Sequence, residues 1–179
     1  IQLAYLLWKN TGCLTQFEGD FQEGARKILE VFRTEQNHEE DSAYRFLRGN
    51  CFYRDTLSRG GKGALVKSGT GLIWSGFRPS DDACTYGYLI PSNMFAVVAL
   101  GYLEEIERSI FGDEEMAAAA GALKEEVHSA IEQEGRTATD EFGLVYAYEA
   151  DGYGMYNLMD DANVPSLLAM DYLGYPADP

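Results

Sequence analysis

Two adjacent carboxylates, Asp81 and Asp82, have the clearest potential for chemistry in this sequence. They lie in a Pro/Ser turn whose aromatic and basic neighbours are Trp74, Phe77, Arg78, Tyr86 and Tyr88. Aromatic rings cover the C–H faces of sugars, and carboxylates accept hydrogen bonds from hydroxyls or transfer protons. The combination predicts a site for a sugar or polyol. The alternative interpretation is a polar turn at the start of a helix, surrounded by aromatic core residues.

A second polar stretch, residues 149–166, has a similar composition. Its polar and aromatic side chains are Glu149, Asp151, Tyr153, Tyr156, Asn157, Asp160, Asp161 and Asn163. Asp151 and Tyr153 lie in a glycine turn and are predicted to line a pocket. Pro165 suits the first turn of a closing helix, so one residue of Asp160–Asn163 is alternatively predicted to cap that helix.

The composition favours one folded domain that acts on a neutral ligand. The chain has 179 residues, of which 46% are hydrophobic and 13% aromatic, enough to fill a core. Its formal net charge of −15 makes DNA, RNA and anionic membrane surfaces poor partners, because phosphate binding needs basic surface. A neutral substrate fits this charge better.

No targeting or transmembrane segment is predicted. The first residues are predicted to be helical and show no signal peptide, which leaves the compartment open between cytoplasmic and secreted. Residues 83–103 carry no charge, but Pro91, Ser92 and Asn93 interrupt the run, and its dense apolar part is too short to cross a bilayer. Three cysteines without C-x-x-C spacing predict neither a disulfide framework nor a zinc site, and we expect no metal or cofactor.

Apolar spacing and capping residues predict an all-α chain. The predicted helices are residues 1–9, 16–36, 93–110, 114–134 and 164–173. Thr15 opens a capping-box pattern, and Ser92 and Asp113 are predicted N-caps. Gly135 is predicted to end the fourth helix, and residues 142–149 alternate in the manner of a short strand or extended segment.

Residues 37–70 are polar and irregular, which predicts a long loop of the kind that usually has a function. The apolar residues predicted to anchor this loop are Phe46, Leu47, Phe52 and Tyr53. His38 and Glu39 are adjacent, but no further histidine lies nearby. A solvated surface is therefore the predicted environment of that pair.

Helices in hairpin-like succession, joined by loops with polar residues, predict a helical barrel or toroid. No linker or low-complexity tract interrupts residues 1–179, so a single domain is predicted. The chain begins inside a predicted helix and stops just after another. We therefore expect the barrel to be incomplete in this chain.

Two long segments of the chain are similar to a known family. They are residues 71–100, GLIWSGFRPSDDACTYGYLIPSNMFAVVAL, and residues 148–175, YEADGYGMYNLMDDANVPSLLAMDYLGY. Together with the opening AYLLWKNTG, they resemble glycoside hydrolase family 125, the exo-acting α-1,6-mannosidases. The resemblance extends over nearly the whole chain.

The resemblance implies an (α/α)6 barrel and metal-independent hydrolysis with inversion at the anomeric carbon. Inversion needs one carboxyl group that protonates the departing oxygen and another that activates water, roughly 6.5–9.5 Å away. The family's acid is an aspartate, which we place in the turn Arg78–Asp82 as either Asp81 or Asp82. The family's base is a glutamate in a His-Glu context nearer the C-terminus, and this chain ends before any such segment.

The resemblance also implies contacts with a mannose-containing oligosaccharide of the N-glycan type. The candidate substrate-binding residues are Trp74, Arg78, Asn93, Asp151, Tyr153, Asp160, Asp161 and Asn163. Besides the residues of Asp160–Asn163, whose capping alternative is given above, three of them have alternative roles on sequence grounds. Trp74 could be a core residue, Arg78 could pair with Asp81 or Asp82, and Asn93 could be structural.

Two other functions stay open at this point. An (α/α)6 glycosidase of another linkage specificity would share the helical succession and the paired carboxylates. A sugar-binding helical module would share them as well, but would lack the general base. Because the expected base lies outside the chain, we expect residues 1–179 alone to be inactive.

Overall fold

A computed structural model describes residues 1–175, which are predominantly helical. The helices are α1 Gln2–Thr11, α2 Phe21–Gln36, α3 His38–Asp41, α4 Ser58–Gly61, α5 Ile90–Ile106, α6 Glu114–Glu134 and α7 Met170–Leu173. The strands are β1 Tyr88–Leu89, β2 Arg136–Thr139, β3 Gly143–Tyr146, β4 Glu149–Ala150 and β5 Tyr156–Asn157. The predicted helical class is confirmed, and these short strands lie between the helices.

Helices α5 and α6 form the centre of the core, where they pack along each other. The first half of helix α5 is apolar on all sides and buried on several of them. The predicted stripe of α6 is also buried and consists of Met116, Ala120, Leu123, Val127 and Ile131. No helix within residues 1–175 is both long enough and apolar enough to cross a membrane.

The predicted boundaries of α6 are confirmed at both ends. The Asp113 side chain accepts a hydrogen bond from the Met116 backbone N–H at 3.0 Å, which satisfies one of the unpaired donors of the first turn. Gly135 is the C-cap, and its N–H donates to the Ile131 carbonyl at 2.9 Å. Clear caps on both sides of a regular apolar stripe made this helix predictable.

The predicted start of α5 was wrong. The helix begins at Ile90, so Ser92 lies inside the first turn instead of capping it. Pro91 occupies that first turn, where a missing N–H costs no intrahelical hydrogen bond. At its other end α5 continues beyond Ile106 into a π-helical turn, Glu107–Phe111.

Two other helices are shorter than predicted. Thr15–Phe17 forms a separate 3₁₀ turn without a side-chain cap, and the positive φ of 65° at Gly19 separates it from α2. The closing segment consists of a 3₁₀ turn, Leu167–Ala169, followed by the single turn of α7. Pro165 lies before this segment and not in its first turn, because the helical hydrogen bonds begin only at Ser166.

A small antiparallel sheet in the order β1-β4-β5 joins the two polar stretches of the sequence. Leu89 of β1 pairs with Glu149 of β4, and Glu149 pairs in turn with Asn157 of β5. Strand β1 leads directly into α5, so the sheet lies at the N-terminal end of that helix. Strand β3 lies within the predicted extended region 142–149, and it pairs with β2, which precedes that region, to form a separate hairpin.

The long loop is attached differently from what the sequence predicted. Leu47, Phe52 and Tyr53 are exposed, and of the four predicted anchors only Phe46 is partly buried, against Phe77. His38 is not solvated but fully buried, where its ring stacks on Trp74 with centroids 3.6 Å apart. The hydrophobic periodicity of the sequence cannot reveal that a polar residue such as His38 is buried and hydrogen-bonded in the core.

Glu107 is a fully buried carboxylate just after the C-terminal end of α5, and burial destabilises its charged form. Its Oε2 accepts a hydrogen bond from Gln22 at 3.0 Å, whereas its Oε1 has no partner in the described part of the chain. Burial raises the pKa of Glu107 above its usual value of about 4.5. The stability linked to this group is therefore fully present below pH 4.5 and is lost as the pH rises through the folded-state pKa.

Glu107→Gln is accordingly expected to raise the melting temperature at pH 7 and to leave it nearly unchanged at pH 4. Thermal unfolding of the full-length protein at both pH values measures the difference. Glu18→Gln, at an exposed position, is the matched control. Equal effects of Glu107→Gln at pH 4 and pH 7 would contradict the assignment.

Candidate active site

A tight turn displays the two adjacent carboxylates. The Arg78 backbone N–H donates to the Asp82 carbonyl at 2.8 Å, and the Asp81 N–H donates to the Arg78 carbonyl at 3.0 Å. A bridge between Phe77 and Ala83 closes the base of the turn. Asp81 has a φ of 68°, a left-handed conformation that aspartate tolerates better than most residues. The backbone thus fixes where the two side chains emerge.

The two carboxylates have different surroundings. Asp82 is partly buried and pairs with Arg54, whose Nη1 lies 3.2 Å from Asp82 Oδ2. The Asp81 side chain is exposed and makes no such pair with a described residue. Asp82 is therefore engaged by a neighbouring side chain, whereas the Asp81 carboxylate is open to an approaching ligand.

Arg78, the first residue of the turn, is anchored by Glu149. Its Nε lies 2.6 Å from Glu149 Oε1 and its Nη2 lies 3.1 Å from Glu149 Oε2, a bidentate pair. The Glu149 side chain is completely buried, and this bonding raises the pKa of Arg78. The alternative role of Arg78, an ion pair with Asp81 or Asp82, is wrong, because its guanidinium is instead paired with the carboxylate of Glu149.

Glu149 has two further donors besides Arg78. Its Oε2 accepts backbone hydrogen bonds from Thr85 at 3.2 Å and from Tyr86 at 3.1 Å. Arg78 Nη2 also donates to Thr85 Oγ1 at 3.1 Å, and the guanidinium lies 5.7 Å from the centroid of the Tyr148 ring. These contacts fix both ends of the turn to strand β4.

A cavity of about 530 Å³ opens beside this network. Its lining residues are Tyr53, Arg54, Thr56, Leu57, Ser58, Gly63, Ala64, Arg78, Ala83, Cys84 and Thr85. Hydroxyls, guanidinium groups and an aromatic ring therefore line a space on the scale of small-molecule sites. Arg78 joins this cavity to the turn with the two aspartates.

The second polar loop lies next to the turn. The pKa of Asp161 is lowered by hydrogen bonds from the Asn163 backbone and the Ser80 hydroxyl, with a smaller effect of the Arg78 charge. The Asp161 carboxylate also accepts from the Asn163 side-chain amide at 2.9 Å. Asp161 and Asn163 thus belong to a short turn beside the Arg78–Asp82 turn.

Asp160 serves as a cap. Its Oδ1 accepts from the Leu167 N–H at 3.0 Å and its Oδ2 accepts from the Leu168 N–H at 3.1 Å, at the start of the closing 3₁₀ turn. Ser166 Oγ also accepts a hydrogen bond from the Ala169 N–H at 3.2 Å. The alternative that one residue of this loop caps the closing segment is therefore correct for Asp160.

The glycine turn at Asp151 is held from within. Asp151 is buried, and its Oδ1 accepts from the N–H groups of Tyr153 at 2.7 Å and Met155 at 3.0 Å. Gly152 and Gly154 both adopt positive φ angles, which the turn requires. The Tyr153 side chain is 61% exposed, so it is available for contacts with a ligand.

Two of the predicted substrate-binding residues belong to the core. Trp74 is only 7% exposed, and its indole packs against His38 on one side and close to Gly63 and Gly87. Its ring cannot act as a platform for a sugar, so the core alternative is correct. The type and spacing of the residue were compatible with both roles, and only its burial distinguishes them.

Asn93 is likewise structural, with its whole amide engaged inside the core. Its Oδ1 accepts from the Ile73 N–H at 2.7 Å, and its Nδ2 donates to the carbonyls of Ile73 at 3.0 Å and Leu89 at 2.9 Å. These bonds fasten the segment before the turn to the first turn of α5. Ligand binding by Asn93 is excluded because its side chain is buried and both of its N–H donors are used.

Asn93→Ala is expected to destabilise the fold, because it leaves buried backbone groups of Ile73 and Leu89 unpaired. Each such group costs about 1–3 kcal/mol. Chemical unfolding of the full-length protein measures the loss, and Asn10→Ala, at an exposed position of α1, is the matched control. Equal stability of the two variants would mean that the Asn93 bonds contribute nothing net.

The sequence identified Glu149 only as part of a polar stretch and did not identify Arg54 at all. Arg78 and Glu149 are 71 positions apart, and Arg54 and Asp82 are 28 apart. No local pattern relates residues at such separations. Among residues 1–175, no group of three or more His, Cys, Asp and Glu side chains is arranged to hold a metal ion.

Comparison with known proteins places the chain in a family of carbohydrate-active enzymes. The family model described as metal-independent α-mannosidase, glycoside hydrolase family 125, matches residues 1–178, and the chain belongs to that family. A curated relative is the Meiotically up-regulated gene 157 protein of Schizosaccharomyces pombe, 36% identical over 98% of this chain.

A solved structure from Streptococcus pneumoniae superimposes with a TM-score of 0.94 and 46% identity over 98% of this chain. That protein is described as one of a widely distributed family of metal-independent α-mannosidases, in a non-productive substrate complex with α-1,6-mannobiose. The present chain spans 36% of the length of the curated relative and 41% of the solved structure.

Proposed function

We propose that the full-length protein containing this chain is an inverting exo-α-1,6-mannosidase that acts on N-glycan-type oligosaccharides. In this proposal residues 1–179 are one part of a single (α/α)6 catalytic domain, and they supply the general acid. Family membership supports α-mannoside hydrolysis. The α-1,6-mannobiose bound to the Streptococcus pneumoniae relative supports the linkage.

The observation that carries the proposal is the display of Asp81 and Asp82 on a turn anchored by a buried ion pair. Glu149 holds Arg78, and the Arg78 backbone holds the turn through hydrogen bonds with Asp81 and Asp82. A general acid must stay within hydrogen-bond reach of the departing oxygen, which requires such a rigid support. A flexible surface turn would not supply it.

Asp81 is the better candidate for the proton donor. A general acid must reach the departing oxygen, and the Asp81 carboxylate is exposed, whereas Asp82 is held by its ion pair with Arg54. Asp82 and nearby Asp161 are then suited to accept hydrogen bonds from sugar hydroxyls, and Arg78 is suited to donate to them. Asp151 and Asp160 contribute by holding their own loops, and Tyr153 and Asn163 are exposed enough to contact a ligand.

The substrate proposed here is neutral, in keeping with the charge of −15. A neutral oligosaccharide does not experience the repulsion that a polyanion would meet at this surface. The cavity beside Arg78 has hydroxyl-bearing and aromatic lining suited to a sugar. We assign no metal or cofactor to the reaction, because two carboxyl groups suffice for inversion.

The test is a comparison of methyl α-mannobiosides with 1→2, 1→3 and 1→6 linkages as substrates of the full-length protein. The proposal predicts release of mannose from the 1→6 isomer well above the other two. Preferential hydrolysis of another isomer would support a glycosidase of different linkage specificity. Binding of mannobiosides without any hydrolysis would support a sugar-binding module.

A further inference from the structure

We infer that Glu149 is a positioning residue for catalysis, which acts on the reacting groups through Arg78. This inference rests on the proposed function and names the residue that holds the acid-bearing turn in place. Glu149 cannot touch a substrate itself, because its side chain has no exposed surface. Any effect of Glu149 on catalysis must therefore act through the groups that it binds, which are the Arg78 side chain and the backbone of Thr85 and Tyr86.

The first step of this connection is the bidentate pair. Both oxygens of Glu149 bind the Arg78 guanidinium, at 2.6 and 3.1 Å, which fixes the plane of the guanidinium and not merely its position. A lysine at position 78 could supply the charge but not this geometry. Arg78 in turn lines the cavity and lies near enough to Asp161 to lower its pKa.

The second step runs through the backbone. Arg78 is the residue whose N–H and C=O close the turn with Asp82 and Asp81, at 2.8 and 3.0 Å. Glu149 also holds the N–H groups of Thr85 and Tyr86, on the other side of that turn. One buried carboxylate thus determines the position of both ends of the segment with the two aspartates.

The charge of Glu149 also keeps Arg78 from the aspartates. Without a carboxylate at position 149, the guanidinium would be a partly buried cation without this ion pair, near Asp161 and in the same turn as Asp81. We expect one of those carboxylates to become its new partner. An arginine bound to the proton donor would favour its ionised form and reduce its capacity as an acid.

A buried ion pair of this kind has an ordinary structural role as well, and the test must separate the two. The position of a general acid strongly affects the rate when the leaving group needs a proton. It has little effect on the rate when the leaving group does not need one. A methyl α-1,6-mannobioside needs protonation, whereas 2,4-dinitrophenyl α-mannoside does not. A purely structural defect would reduce both rates in proportion to the folded fraction.

Glu149→Asp keeps the charge but withdraws the carboxylate by about one methylene, and Glu149→Gln keeps the shape but removes the charge. In the full-length protein we expect both to lower kcat for the mannobioside, by up to about 100-fold for the aspartate variant. We expect much smaller losses for the dinitrophenyl substrate. Glu104→Gln, which removes an ion pair with Lys124 at the far end of α5, is the matched control and should match the wild type.

Equal losses on the two substrates, or full activity of Glu149→Asp on the mannobioside, would overturn the role of Glu149. Glu149→Asp keeps the buried negative charge, so it keeps the test valid if Glu149→Gln fails to fold. A wild-type protein that hydrolyses neither substrate would overturn the proposed function and the positioning role together. An active wild type with an unaffected Glu149→Asp would overturn the positioning role alone.

Discussion

Asp81→Asn in the full-length protein is expected to slow hydrolysis of the methyl α-1,6-mannobioside by about 10²- to 10⁴-fold, the usual contribution of a general acid. The reason is that asparagine preserves the left-handed turn and the exposed position but cannot donate an acidic proton to the departing oxygen. Steady-state kcat for this substrate and for 2,4-dinitrophenyl α-mannoside is the measurement. The loss should be much smaller for the dinitrophenyl leaving group.

Asp82→Asn is expected to have a different effect from Asp81→Asn. Asp82→Asn removes the ion pair with Arg54, and we expect it to raise KM more than it lowers kcat. Asp20→Asn, at an exposed position before α2, is the matched control and should leave both parameters unchanged. If Asp82→Asn instead shows the large, leaving-group-dependent loss, the acid is Asp82 and our assignment is wrong.

The second prediction with a large expected effect compares the activity of residues 1–179 alone with that of the full-length protein. Residues 1–179 are expected to show no measurable mannoside hydrolysis, whereas the full-length protein hydrolyses the same substrate. Inversion needs a second carboxylate roughly 6.5–9.5 Å from the acid, with room for a water between them. The buried Glu149 is fully engaged by Arg78 and two backbone N–H groups, and Asp160 caps the closing segment, so neither is free to activate water.

The isolated chain is also expected to be prone to association. Helix α1 exposes Leu3, Leu6 and Leu7, with Leu3 at 83% exposure, and the closing segment exposes Leu168 and Tyr172. The measurement pairs a hydrolysis assay of purified 1–179 with its elution volume in size-exclusion chromatography. Activity of a monomeric 1–179 equal to that of the full-length protein would show that a carboxylate within this chain acts as the base.

The sequence predicted the parts of this fold that depend on local patterns. Helix α6 has a regular stripe and a cap at each end, and its predicted bounds agree with the structure. Helix α5 was predicted to begin too late, because Ser92 is a good N-cap by type, while Pro91 allows an earlier start. The closing helix was predicted to begin too early, because its predicted start relied on Pro165 alone.

The site was less predictable because burial decides roles there. Trp74 and Asn93 have side chains that bind sugars in many proteins, and only the packing around them shows that they are structural. The pair Arg78–Glu149 depends on strand β4 pairing with β1, which brings together two loops 71 positions apart. Pairings of that kind follow from tertiary structure, and a single sequence has no local signal for them.

The stereochemistry of the first product tests the central proposal most directly. Proton NMR of full-length protein with methyl 6-O-α-mannosyl-α-mannoside, recorded before mutarotation, identifies the anomer of the released mannose. An inverting α-mannosidase must release β-mannose first, with the α-anomer following only as mutarotation proceeds. Initial release of α-mannose, or no release of mannose by the folded full-length protein, would contradict the account.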